Sequence, residues 1–172
     1  GRGSDAQLSD WRTLMEVNLW AIIETCRLII PEMQASGGAV VNVGSKQGIT
    51  NPPGHPAYNM AKSALKSYTE TLEHDLRSAP GARVSAHLLI PGWTTTGDAA
   101  HKPGAWLPDQ VVDMMLAGVA DKDFYILCPD DETTSEMDHK RIIWGAEDIT
   151  RNRPALSRWH EDWSDRAKDA CT

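Results

Sequence analysis

Two short apolar runs constrain this chain more than any other feature: Ala39-Val40-Val41-Asn42-Val43, and Val84 to Ile90. The first is β-branched and predicts a strand buried on both faces, as strands of a parallel sheet are. The second is broken sharply by Pro91-Gly92. Between them, Leu65, Tyr68, Leu72 and Leu76 recur at steps of three and four, which predicts a helix from about Ala57 to Ser78 that Pro80-Gly81 stops. Strand, helix and strand in that order call for right-handed crossovers in a parallel α/β sheet.

The flanking segments extend the pattern. Leu8, Trp11, Met15, Leu19, Ile22, Cys26, Ile29 and Met33 lay one apolar stripe along a helix expected from about Asp10 to Ala35, with Ser9 as its N-cap and Gly37-Gly38 at its end. Gln47 to Pro56 and Trp93 to Trp106 read as loops, Asp109 to Ala120 as a helix, and Phe124 to Cys128 as a third strand. Residues 129–172 are expected to be helical in two pieces, a C-terminal extension of one domain spanning 1–172. The chain opens on a helix and offers only three strands. The expectation is therefore an incomplete sheet, with further strands preceding this sequence or supplied by another chain.

Bulk properties narrow the function classes. A chain of 172 residues suffices for one domain with a real core, and its 41% hydrophobic and 24% charged content is that of a globular protein. A net charge of −7 argues against a nucleic-acid or anionic-membrane surface. No apolar run reaches membrane-spanning length, and the opening Gly-Arg-Gly-Ser-Asp carries no signal-peptide core. Cys26, Cys128 and Cys171 are odd in number and far apart, so a reducing cytoplasm is expected and disulfides are not. The six histidines form no ligand motif, and no metal site is expected.

The chemistry concentrates around Tyr58 and Lys62, which stand four residues apart and so on one face of the same helix. A free phenol has a pKa near 10, and a neighbouring cation lowers it toward the range of proton transfer. Taken alone the pair has a plain reading, a packing tyrosine with a lysine one turn on. Ser45 adds weight. It lies just past the first strand and thirteen residues before Tyr58, and the carboxyl ends of parallel strands are where open α/β sheets place their sites. Its hydroxyl would bond a substrate oxygen as charge develops there. Asn18 falls on the apolar stripe between Met15 and Ile22. A buried amide there holds a water or a backbone carbonyl, or simply packs the helix.

These motifs resemble the second half of a short-chain dehydrogenase/reductase. The resemblance rests on Val41-Asn42-Val43-Gly44-Ser45, then Gly48, then Tyr58-x-x-x-Lys62, then Ile90-Pro91-Gly92-x-x-x-Thr96, with Val17-Asn18-Leu19 ahead of them. It implies a partial Rossmann-like, doubly wound parallel sheet with flanking helices. It also implies an oxidoreductase interconverting an alcohol and a ketone or aldehyde with NAD or NADP. By the same resemblance Tyr58 is the general acid/base. Lys62 assists it and contacts the nicotinamide ribose. Ser45 orients the substrate oxygen, and Asn18 supports a proton relay. Pro91, Gly92, Thr94 and Thr96 would meet the nicotinamide and adjacent phosphate. Gln47 and Trp93, with His55 and the loop 99–106, would line the substrate side. A homodimer or homotetramer is implied as well.

The sequence departs from the family pattern in three places. Gly44 stands where many members carry another serine, and Thr94 where Val or Ile is common. More seriously, the Gly-rich turn after a first strand, which would hold the pyrophosphate at a helix N-terminus, has no counterpart here. Two other readings therefore stay open: an inactive fragment or subunit that binds a complementary chain, and a related epimerase or dehydratase.

Overall fold

The computed structural model describes residues 7–97 and 99–172. Three parallel strands lie in the order β1 (Gly38–Val43), β2 (Val84–Ile90), β3 (Tyr125–Leu127). Helices α1 (Leu8–Met15) and α2 (Ala21–Ser36) precede β1, joined by a π turn at Glu16–Trp20. The one-turn helix α3 (Gln47–Thr50) and the long α4 (Pro56–Ser78) lead to β2, and α5 (Pro108–Asp121) leads to β3. Helices α6 (Ser135–Thr150) and α7 (Ser164–Cys171), with a 3-10 turn at Ser157–Trp159, form the tail.

Alternation along the strands builds two cores on opposite faces of the sheet. Val40, Val84 and Ala86 face α2 and α4, where they meet Cys26, Leu76, Ile22, Tyr68 and Leu72. Leu89, Ile126 and Val41 face α5, where they meet Val111, Met114 and Val119. Leu65 and Leu88 are fully buried, and each stabilises the fold by about 1.5–3 kcal/mol. Helices thus pack on both sides of the sheet, α2 and α4 on one and α5 on the other.

A buried polar chain crosses the first core. Asn42 of β1 donates from Nδ2 to Thr69 Oγ1 at 3.0 Å, and Cys26 Sγ lies 3.7 Å from Asn42 Oδ1. Thr69 in turn donates to the Leu65 carbonyl. One asparagine therefore joins α2, β1 and α4 in the register that packs them.

Several local expectations need correction. The first helix begins at Leu8, with Gln7 rather than Ser9 at its N-cap, because the Gln7 carbonyl takes the first amide bond, from Asp10 N. It runs to Ser36 but is interrupted at Glu16–Trp20, where the Ala21 amide reaches back five residues to the Glu16 carbonyl. The segment expected as a loop from Gln47 contains α3, whose amides from Ile49 and Thr50 fold onto the Lys46 carbonyl. Strand β1 is not buried on both faces: Gly38, Ala39 and Val43 are exposed, because its one neighbour among the described strands is β2.

One ion cluster ties the carboxyl ends of the strands together. Lys46 Nζ, just past β1, lies 3.3 Å from Asp130 Oδ2 and 2.6 Å from Asp138 Oδ2, and both carboxylate side chains are only 5% exposed. Asp130 follows β3. Its Oδ2 also accepts the Trp93 amide at 2.9 Å, and its Oδ1 accepts the amides of Thr133 at 2.7 Å and Glu132 at 3.1 Å. Burial works against the Asp130 charge, but the Trp93 amide, the Lys46 ammonium and the Thr133 amide outweigh it and hold its pKa below the usual carboxylate value. For Asp138 burial outweighs Lys46, and the pKa rises.

Two measurements test these assignments. Asn42→Ala strands Thr69 and Cys26 in the core and is expected to cost about 1–3 kcal/mol in urea unfolding. Asp130→Asn should also destabilise at neutral pH. A depressed folded-state pKa contributes stability above the unfolded value and loses it as pH falls through the folded one. The gap between wild type and Asp130→Asn should therefore persist in mild acid and narrow below pH 3.8, the ordinary aspartate value. A gap that grows in acid would contradict the assigned sign.

Candidate active site

Ser45 leaves β1 through Gly44, whose amide donates to the Leu89 carbonyl at 2.7 Å and carries the ladder one step further. Ser45 Oγ accepts the Gln47 amide at 3.1 Å and so starts α3. A hydroxyl that accepts in this way keeps its hydrogen to donate. The turn is pressed onto α4. A Cβ at Gly48 would lie 2.6 Å from the Lys62 carbonyl carbon, so only glycine allows this approach. Ser63 Oγ closes the contact by donating to the Gly48 carbonyl at 2.7 Å.

Tyr58 stands in the first turn of α4, with Pro56 at the helix start. Lys62 follows one turn later on the same face. Its ammonium lies 5.7 Å from the Tyr58 ring centroid and donates to the Val43 carbonyl at 2.9 Å. Lys62 is 7% exposed, and burial lowers its pKa. The start of α4 is itself held by Asn59, whose Nδ2 donates to Asn51 Oδ1 at 2.9 Å and to the Pro52 carbonyl at 2.7 Å.

Ser45, Tyr58 and Lys62 open on one cleft of about 770 Å³ at the carboxyl ends of β1 and β2. Gln47, Pro91, Gly92, Trp93, Thr94 and Thr96 line it as well. Gln47 Oε1 is buried and has no hydrogen-bond partner among the described residues. The segment after β2 is steadied from outside: the Trp106 amide donates to the Trp93 carbonyl at 2.8 Å and the Thr95 amide to the Trp106 carbonyl at 2.9 Å. Trp93 itself is 43% exposed.

Other expected residues lie elsewhere. Asn18 sits within the π turn, and its Nδ2 bonds back to the Leu14 carbonyl at 3.1 Å. It is not among the cleft-lining residues, although the π turn packs on α4. Neither His55 nor any residue from 99 to 106 is among those that line the cleft. In the tail, Arg153 stacks 4.1 Å over the Trp144 ring, and Trp144 meets Trp163 edge-on, so these tryptophans pack within the chain. Among the described residues no cluster of His, Cys, Asp and Glu could hold a metal ion, and no helix is long and apolar enough to cross a membrane.

Sequence reasoning missed Lys46 and Asp130. Lys46 stands directly after Ser45 and was visible as a charge at a strand end. Its partners are 84 and 92 residues away, and nothing in local spacing reveals them.

The residues present suit one end of a dinucleotide. The cleft offers a buried ammonium, several hydroxyls and a glycine at strand ends, groups able to hydrogen-bond a ribose and an amide, whereas no Gly-rich strand-to-helix turn occurs among the described residues.

Known proteins place the chain. It is 26% identical over 184 residues to a CLA biosynthesis dehydrogenase/reductase of Lactiplantibacillus plantarum, with 87% of this chain and 64% of that protein covered. It is 31% identical over 77 residues to the putative oxidoreductase SadH of Mycobacterium tuberculosis, covering 44% of this chain and 28% of the relative. The chain thus spans less than two thirds of the length of these curated relatives. A short chain dehydrogenase/reductase of Burkholderia phymatum, solved in complex with NAD, superposes with a TM-score of 0.76 at 24% identity, over 89% of this chain and 63% of that one. A short chain dehydrogenase of Burkholderia cenocepacia, solved with NADP, gives 0.69 at 22% identity, over 90% and 63%. The family model for short chain dehydrogenases matches residues 1–104. With that match covering more than half of its length, the chain belongs to the short chain dehydrogenase family.

Proposed function

We propose that this chain carries the reacting end of an NAD(P)-dependent oxidoreductase that interconverts an alcohol and a ketone or aldehyde. The observation that carries the reading is Lys62, a buried ammonium in the wall of the cleft that Ser45 and Tyr58 share. Family membership supports it, as do the NAD and NADP complexes of the two Burkholderia proteins.

In this reading Ser45 donates its free hydroxyl hydrogen to the substrate oxygen. Tyr58 gives a proton to that oxygen during reduction and takes it back during oxidation. Lys62 places a positive charge one turn away, where it stabilises negative charge as it develops on the phenol oxygen, and it also reaches toward the ribose. Pro91, Gly92, Thr94 and Thr96 border the nicotinamide end, and Trp93 the substrate. The dinucleotide, when bound, supplies or receives the hydride. The unpartnered Gln47 Oε1 favours a substrate with a donor group near its carbonyl, because a buried acceptor left unpaired is costly. Asn18 would act at a distance, through α4. Exposed Val17, Trp20 and Leu28 on the first helical rod support pairing with a second copy. A second reading, a subunit for a complementary chain, draws on the open edge of β1. Saturable NADH or NADPH binding by this chain alone would count against it.

Kinetics of two variants test the proposal. Tyr58→Phe should lose nearly all turnover while cofactor affinity stays at the wild-type level. Normal turnover would remove Tyr58 from the mechanism. Lys62→Met should weaken both turnover and cofactor binding, yet melt no lower than wild type, since it removes a buried charge with one backbone acceptor. A large fall in its melting temperature would make Lys62 a structural residue instead.

A further inference from the structure

The Lys46 cluster joins parts of the chain that the mechanism needs in register. Ser45 precedes Lys46 and Gln47 follows it, and both line the cleft. Asp130 Oδ2 receives Lys46 and the Trp93 amide together. The fit is close: a Cβ at Gly92 would stand 2.5 Å from Asp130 Oδ2 and 2.9 Å from Lys46 Nζ. Asp138, on α6, also holds the ammonium, at 2.6 Å.

A buried ion cluster is a weak source of stability, because desolvation offsets most of the attraction. It does impose geometry, since one ammonium must satisfy two fixed carboxylates. We propose that Lys46 is a positioning residue: clamped between Asp130 and Asp138, it fixes the Ser45 turn against the Pro91–Trp93 segment. It thereby sets the group that holds the substrate oxygen against the one that borders the nicotinamide. This inference rests on the oxidoreductase reading and adds to it a residue outside the Ser45, Tyr58 and Lys62 group. The competing account is that Lys46 only neutralises buried carboxylates.

A charge-balanced variant separates the two. Lys46→Met alone leaves two carboxylates facing each other and is expected to unfold easily. Lys46→Met/Asp138→Asn removes the cation together with one anion and leaves Asp130 its three backbone donors. We expect the double variant to fold and still to bind NADH or NADPH, with affinity reduced less than turnover, because the loosened Pro91–Gly92 segment borders the nicotinamide while Lys62 is untouched. Its turnover of an α-hydroxyketone probe such as acetoin, which carries a donor beside its carbonyl, should fall by about 10²-fold, the order of loss that a misplacement near 1 Å produces. Amides of residues 45–50 and 92–94 should exchange faster together, whereas Lys46→Arg alone, with both carboxylates still present, should keep both readouts near the wild-type level. Full turnover, or a fall in turnover with unchanged exchange, overturns the proposal. Should the wild-type chain neither bind cofactor nor turn over the probe, the oxidoreductase reading fails, and the exchange data alone judge the clamp: faster exchange in both segments supports it, unchanged exchange overturns it.

Discussion

The site depends on one close contact between backbones. Gly48 lies so near the Lys62 carbonyl that no side chain fits between them. Through that contact the turn carrying Ser45 is set against the helix carrying Tyr58 and Lys62. The Ser63 hydroxyl bond to the Gly48 carbonyl and the Lys62 bond to the Val43 carbonyl seal it from two sides. A strand end, a one-turn helix and a long helix are thereby held as one body, and the hydroxyl, phenol and ammonium are fixed with it.

This arrangement bears a cost that the rest of the fold absorbs. Lys62 is buried and its charge is disfavoured by desolvation. Asp138 is likewise a carboxylate whose ionisation burial opposes. Neither is the choice that stability alone would make, since apolar residues of similar size pack without desolvation. The compensation lies in the two apolar cores on either side of the sheet and in the Asn42–Thr69 bond that joins three elements across one of them.

Much of this was legible in the sequence, for identifiable reasons. The helix of residues 57–78 followed from apolar periodicity, β1 from a β-branched run, and β2 from an apolar run broken by Pro91-Gly92. Ser45, Tyr58 and Lys62 stood out because a strand end and a four-residue helical step are local signals. What stayed hidden depends on contacts across long stretches of chain. Lys46 meets Asp130 and Asp138 only once β3 and α6 are in place. Asn42, inside an apolar run, gains its meaning from Thr69 on another element. The π turn around Asn18 leaves the apolar stripe unbroken, so periodicity reads straight through it. α3 was lost among the Gly and Pro of its loop, because its first bond comes from the Ser45 side chain and not from propensity.

The central claim is that this cleft serves hydride transfer to or from a carbonyl carbon. The most direct measurement supplies NADH and NADPH deuterated at nicotinamide C4, in either configuration, with a ketone probe, and weighs the alcohol product by mass spectrometry. The account predicts one deuterium on the carbinol carbon from one configuration of the cofactor, and its loss with Tyr58→Phe. Alcohol formed without deuterium from either configuration, or no alcohol from a chain that demonstrably binds the cofactor, would contradict it.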